Sequence, residues 1–142
     1  MKRFALALMC LPGLAFAEGL TIEEPMVPLA PPGVMAHAAF MQITNTGDSP
    51  RQLVGVSSPD YAMAHIHQTS EQNGIATMSG VDLIEIAPGQ TVAFAHGGLH
   101  IMLMHPKAAL AEGDTVNLSL LFANGAVEPV TAKVMRQHRH GS

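Results

Sequence analysis

The sequence predicts an all-β domain, folded as an antiparallel sandwich or Greek-key barrel. Three observations carry that prediction. Short segments of alternating apolar and polar residues recur along the chain. They are separated by turn signals such as Asn45-Thr46-Gly47-Asp48, Asn73-Gly74, Ala87-Pro88-Gly89 and Asn124-Gly125. Nowhere does a helical period persist beyond about two turns. There is no internal repeat and no break in composition that would mark a second domain.

Taken in order, Gly19 to Glu24 alternates and predicts a first strand. Pro25, Pro28, Pro31, Pro32 and Gly33 then predict a loop or an extended edge segment. Met35 to Asn45 predicts a strand of aromatic and β-branched residues. Gln52 to Ser57 follows as a short strand, stopped by Ser58-Pro59-Asp60. Tyr61 to Gln68 alternates so that Met63, His65 and His67 share one face, opposite Ala62, Ala64 and Ile66. Ile75 to Met78 and Val81 to Ile86 are strand fragments, and Thr91 to Ala95 is a strand entering Gly97-Gly98. Pro106 to Gly113 predicts one helical turn. Thr115 to Ala123 and Ala126 to Met135 are the last two strands, and 136–142 reads as a polar, frayed tail.

The chain has 142 residues, and its first seventeen read as a secretory signal. Lys2 and Arg3 precede an apolar run from Phe4 to Leu14. Ala15-Phe16-Ala17 is a small-x-small cleavage site. The run is too short to span a bilayer, and no stable membrane insertion is expected. Leu8 and Met9 before Cys10 do not suit a lipid attachment site there. The expected division is therefore 1–17 as signal, 18–135 as the domain and 136–142 as tail.

Without Lys2 and Arg3, five of the seven basic residues remain against eleven acidic ones, a net charge near −6. This excludes the basic footprint of a nucleic-acid binder. With Cys10 gone, the remaining chain has no cysteine. That rules out a thiolate nucleophile, a zinc–sulfur site and a blue-copper centre. The same region keeps eight methionines and eight histidines. The carboxylates are scattered without an acid–base pair, and no catalytic residue is assigned.

The donors concentrate in His96 to His105, H-G-G-L-H-I-M-L-M-H. On a strand, His100, Met102 and Met104 point one way and Leu99, Ile101 and Leu103 the other. One face is then aliphatic core, and the other carries neutral nitrogen and sulfur donors. Gly97-Gly98 reads as a turn bringing the strand start close to another backbone.

His67, Met78, His100 and Met102 are separated by ten, twenty-one and one residues. This H-x10-M-x21-H-x-M pattern resembles, without a gap, the motif of the periplasmic copper chaperones called PCu(A)C. Further stretches are similar to that family: P-P-G at Pro31 to Gly33, A-A-F-M-Q-I-T-N-T-G at Ala38 to Gly47, L-V-G-V-S-S-P at Leu53 to Pro59, I-A-P-G at Ile86 to Gly89, G-G-L-H-I-M-L at Gly97 to Leu103 and E-G-D-T-V at Glu112 to Val116. The likeness runs from about Thr21 to Val134. Two departures stand out. Met26 and Pro28 occupy a region where the family usually has an aromatic and a basic residue, and His65 stands where it often has a carboxylate.

The resemblance implies a cupredoxin-like sandwich that binds one Cu(I) per chain through His67, Met78, His100 and Met102. It also implies a non-enzymatic carrier in the periplasm that delivers copper to the copper-site subunit of cytochrome c oxidase during Cu(A) assembly. Other periplasmic copper-assembly proteins would be partners. A copper buffering or resistance protein would use the same ligands. Donor chemistry agrees: Cu(I) is soft and prefers thioether and imidazole, whereas calcium and magnesium want oxygen. Alone, each Met reads as core filler and each His as a surface residue. Outside the motif, His65 reads as a solvent-facing neighbour rather than an occasional Cu(II) ligand, Met104 and Met63 as packing at the strand end, His96 and His105 as loop residues, and His37 as distant. His138 and His140 in the tail suit at most weak Cu(II) binding.

Overall fold

A computed structural model describes residues 19–137. The expected signal segment, Cys10 and the tail residues His138 and His140 lie outside the described residues. Ten strands form: β1 (Leu20–Pro28), β2 (Ala36–Asn45), β3 (Arg51–Ser57), β4 (Tyr61–Gln72), β5 (Ile75–Gly80), β6 (Ile84–Ile86), β7 (Thr91–Phe94), β8 (Leu99–Pro106), β9 (Thr115–Phe122) and β10 (Val127–Met135). The all-β, cupredoxin-like class expected from the sequence holds.

Hydrogen bonding links the strands in the order β5-β4-β8-β2-β1-β10-β9-β3-β6, with β7 also on β2. The path folds into two layers because β2 changes partner midway. Its first half, Ala36 to Ala39, pairs with β8 in one sheet. Its second half, Met41 to Thr44, pairs with β7 in the other. Period-2 alternation turns one face of the central strands inward. Ala39, Met41 and Ile43 of β2, Ile101 and Leu103 of β8, Ile66 of β4, Val116, Leu118, Leu120 and Phe122 of β9, and Val130, Ala132 and Val134 of β10 form one buried core.

Asn45 is fully buried at the end of β2. Its Nδ2 donates to the carbonyls of Ser49 (2.8 Å) and Ile86 (2.9 Å), and its Oδ1 accepts from Gly47 N–H (3.0 Å). These bonds satisfy the side chain and tie the β2–β3 loop to the end of β6.

Three expectations need correction. The first strand does not stop at Glu24. It continues through Pro25 to Pro28, with a register shift between Glu23 and Met26 and a positive φ of 51° at Glu24. The irregularity absorbs the proline, which has no N–H to give to a ladder. Beyond it, Met26 to Pro28 pair parallel to Lys133 to Met135, so the sandwich is not wholly antiparallel. The helical turn expected in Pro106 to Gly113 is absent as well. There, backbone N–H groups bond outward instead: Lys107 to the Asp60 carbonyl, Gly113 to the Val134 carbonyl and Ala111 to Asp114 Oδ2. Among the described residues no helix is long and apolar enough to cross a membrane.

Candidate metal centre

The candidate donors meet on the outer face of the smaller sheet, where β8 lies between β2 and β4 and β5 forms the edge. Antiparallel register sets the rows. His67 is opposite His100, His65 opposite Met102, and Met63 opposite Met104. Their in-between neighbours Ile66, Ile101 and Leu103 are buried in the core. The two faces inferred for β4 and β8 are therefore both present, and they merge into one continuous donor surface.

His67 and His100 form the central pair. Their ring centroids are 5.9 Å apart and the planes are inclined by 63°. His100 is 7% exposed. In the tautomer that makes its hydrogen bond, Nδ1–H donates to the Gly98 carbonyl at 3.2 Å, and Nε2 keeps its lone pair. Holding the far ring nitrogen on a carbonyl is how proteins orient a ligating imidazole. The same carbonyl accepts from Thr69 N–H at 3.1 Å, so it also pins β4 against the start of β8.

His67 carries the other signal. Its Nδ1 is buried without a hydrogen-bond partner. A buried polar atom left unpaired is costly unless something else satisfies it. Desolvation first, then the neighbouring His100 and His65, hold its imidazole below the ordinary histidine range, which favours the neutral, ligating form. These residues fit a cation with nitrogen affinity.

Thioethers flank the pair on both sides. Met102 is half-buried, one row along from His100 on β8. Met78 lies on β5 opposite Thr69, one row along from His67 in the other direction. It is 58% exposed. Directly across β5 from His67 stands Gly80, where an added Cβ would have nothing within 4 Å. The β5 side of the imidazole is thus open. Among the described residues, no three side chains of the His, Cys, Asp and Glu types are grouped to hold a metal. A set built on the two imidazoles would draw on the flanking thioethers, and sulfur suits a soft ion.

The remaining histidines separate from this face. His37 pairs with Leu103 on the inward side, and its Nδ1 is 2.8 Å from the Tyr61 hydroxyl. His37 is close to the site strands in the fold, contrary to its expected distance, but it points to their opposite side. His96 lies in the β7–β8 turn against Phe40. His105 is not a loop residue: it belongs to β8, with a positive φ of 56°. The Gly98 carbonyl and the Gly80 gap were missed by sequence reading. The paired glycines of H-G-G-L-H were the signal for the first.

The model of the LpqE-like family, described as "Putative lipoprotein LpqE-like", matches residues 20–134. The chain belongs to this family. The protein described as "Putative lipoprotein Lxx21020", from Leifsonia xyli subsp. xyli, is 34% identical over 119 residues, covering 83% of this chain and 70% of that one. The solution structure of Cu(I)-DR1885 from Deinococcus radiodurans is 32% identical, with a TM-score of 0.67 over 85% of this chain and 83% of that one. The copper-bound PCuAC domain from PmoF2 is 24% identical, with a TM-score of 0.69 over 84% of this chain and 94% of that one. That last likeness is one of fold. The chain is a PCuAC-type protein, as its motif suggested.

Proposed function

We propose that this chain is a periplasmic Cu(I) carrier that binds one ion through His67, Met78, His100 and Met102. The observation that carries the reading is the His67–His100 pair: two facing imidazoles, one with an orphaned buried nitrogen and one held by a carbonyl. Flanking thioethers on neighbouring rows complete a neutral four-donor set suited to Cu(I). The Cu(I)-bound relative DR1885 supports copper as the cargo.

Release would proceed by ligand exchange, with an acceptor's donors replacing these one at a time. Thioethers have no proton to gain or lose, so exchange needs no proton transfer. The exposed Met78 and the gap at Gly80 give an acceptor its approach, which favours delivery over sequestration. We assign the acceptor as the copper-site subunit of cytochrome c oxidase, with other periplasmic copper-assembly proteins as partners. We assign the chain no catalysis. Residues 1–17 would direct export, and 18–135 would be the carrier domain.

A Cu(I) competition titration with a chromogenic chelator tests this reading. One tight site is expected in the wild type, with clear weakening in Met102→Ala. Equal affinity would remove Met102 from the site. Transfer to an apo oxidase copper domain separates delivery from buffering.

A further inference from the structure

The carrier site uses only half of the donor surface. Past the central His67–His100 pair, two rows continue along the same face of β4 and β8. In the first, His65 lies opposite Met102; in the second, Met63 lies opposite Met104. Directly opposed residues in an antiparallel ladder have Cβ atoms about 4.5–5.5 Å apart, and diagonal neighbours stay within reach of long side chains. Met63, His65 and Met104 therefore converge on one patch. The His65 ring is tilted by 30° to that of His67 at 6.2 Å, so it is a neighbour of the central pair.

The surroundings leave the patch open. Met63 is 41% exposed, His65 is exposed and Met104 is half-buried. On the far side of β8, the residues opposite Met104 and Met102 are Ala36 and Ala38. Their methyl groups are too short to cover a thioether. An exposed methionine in a β domain gains nothing by packing. Here the exposed Met63 faces the half-buried Met104 beside an imidazole.

We propose that Met63, His65 and Met104 form a second, outer site for a soft monovalent cation, Cu(I) or its analogue Ag(I), weaker than the carrier site beside it. Two sulfurs and one nitrogen give three neutral donors, which suit a soft ion and offer little to Zn(II). An ion held there is beside Met102, which stands across the ladder from His65. Passing it inward exchanges one thioether for another and requires no electron or proton. The assignment of copper as cargo rests on the carrier reading; the donor geometry of the patch does not.

Ag(I) is a redox-stable probe, and methyl-labelled methionine reports each sulfur separately by NMR. In the folded wild-type protein, the Met78 and Met102 methyls should shift with the first equivalent, and the Met63 and Met104 methyls with a second. The double variant Met63→Leu/Met104→Leu should lose the second equivalent while the first binds as before. Unmoved Met63 and Met104 methyls, or a second equivalent that persists in the double variant, would overturn the outer site. Zn(II) should leave these two methyls in place; a shift would overturn its soft character. Failure of Met78 and Met102 to respond, with Met63 and Met104 still shifting, would overturn the carrier site and leave the outer one standing.

Discussion

Gly80 stands directly across the β4–β5 ladder from His67, and no atom fills the space a side chain would take there. The glycine has an ordinary backbone conformation, so a larger residue can be placed without strain. Gly80→Val should fold normally and cover the open side of the imidazole. The expected result is a several-fold slower exchange of Cu(I) with a chromogenic chelator, read by stopped-flow absorbance, with an unchanged melting temperature. Unaltered kinetics would mean that cargo enters by another side.

Met78 and Met102 differ in burial, so replacing them should separate binding from folding. Leucine keeps volume and removes the sulfur. Met78→Leu changes a residue that is 58% exposed and should leave apo stability as it was. Each variant should weaken Cu(I) binding by about tenfold or more, roughly 1.4 kcal/mol. Competition titration measures the binding and calorimetry of the apo protein measures the stability.

The Gly98 carbonyl selects one tautomer of His100. Nitrogen-15 chemical shifts of the apo protein should show His100 protonated at Nδ1 and bare at Nε2. The opposite tautomer would detach Gly98 from any role in presenting the ligand.

Tyr61 is the sole tyrosine of the chain, and it is 3% exposed. Burial first, and then the charge of Asp60, push its pKa up to about 12. The unfolded chain releases that proton near pH 10. The stability it contributes is therefore fully present below pH 10 and is lost as pH rises from there through about 12. Phenolate absorbance should report the raised midpoint without interference from other tyrosines. Tyr61→Phe removes the hydrogen bond with His37 and should cost about 1 kcal/mol.

Asn45 ends β2 with no solvent exposure and three side-chain hydrogen bonds. Asn45→Ala would strand the Ile86 and Ser49 carbonyls. A loss of about 3 kcal/mol is expected by denaturant titration. The donor face is built by other strands, so Cu(I) affinity of the folded fraction should hold.

Much of this was legible because β structure writes its faces at period two. The alternation of Met63, His65 and His67, and of His100, Met102 and Met104, showed which side chains travel together. Their registration across β4 and β8 was not legible, because pairing between strands depends on partners remote in sequence. For the same reason Asn45 read as a turn signal, although it is a buried clasp between a loop and the end of β6. Pro25 marked the right place for an irregularity, but local rules could not foresee that β10 would accept the continuing strand in parallel.

The strand that carries Met78 is also the outermost of its sheet, held on one side only, with all six of its residues exposed. It contributes nothing to the buried core. On the proposed ligand set, one ligand thus sits on a detachable hem while the other three are stitched into the fabric. Unpicking that hem would loosen the ion without disturbing the garment, so the work of surrendering cargo is uncoupled from the work of staying folded.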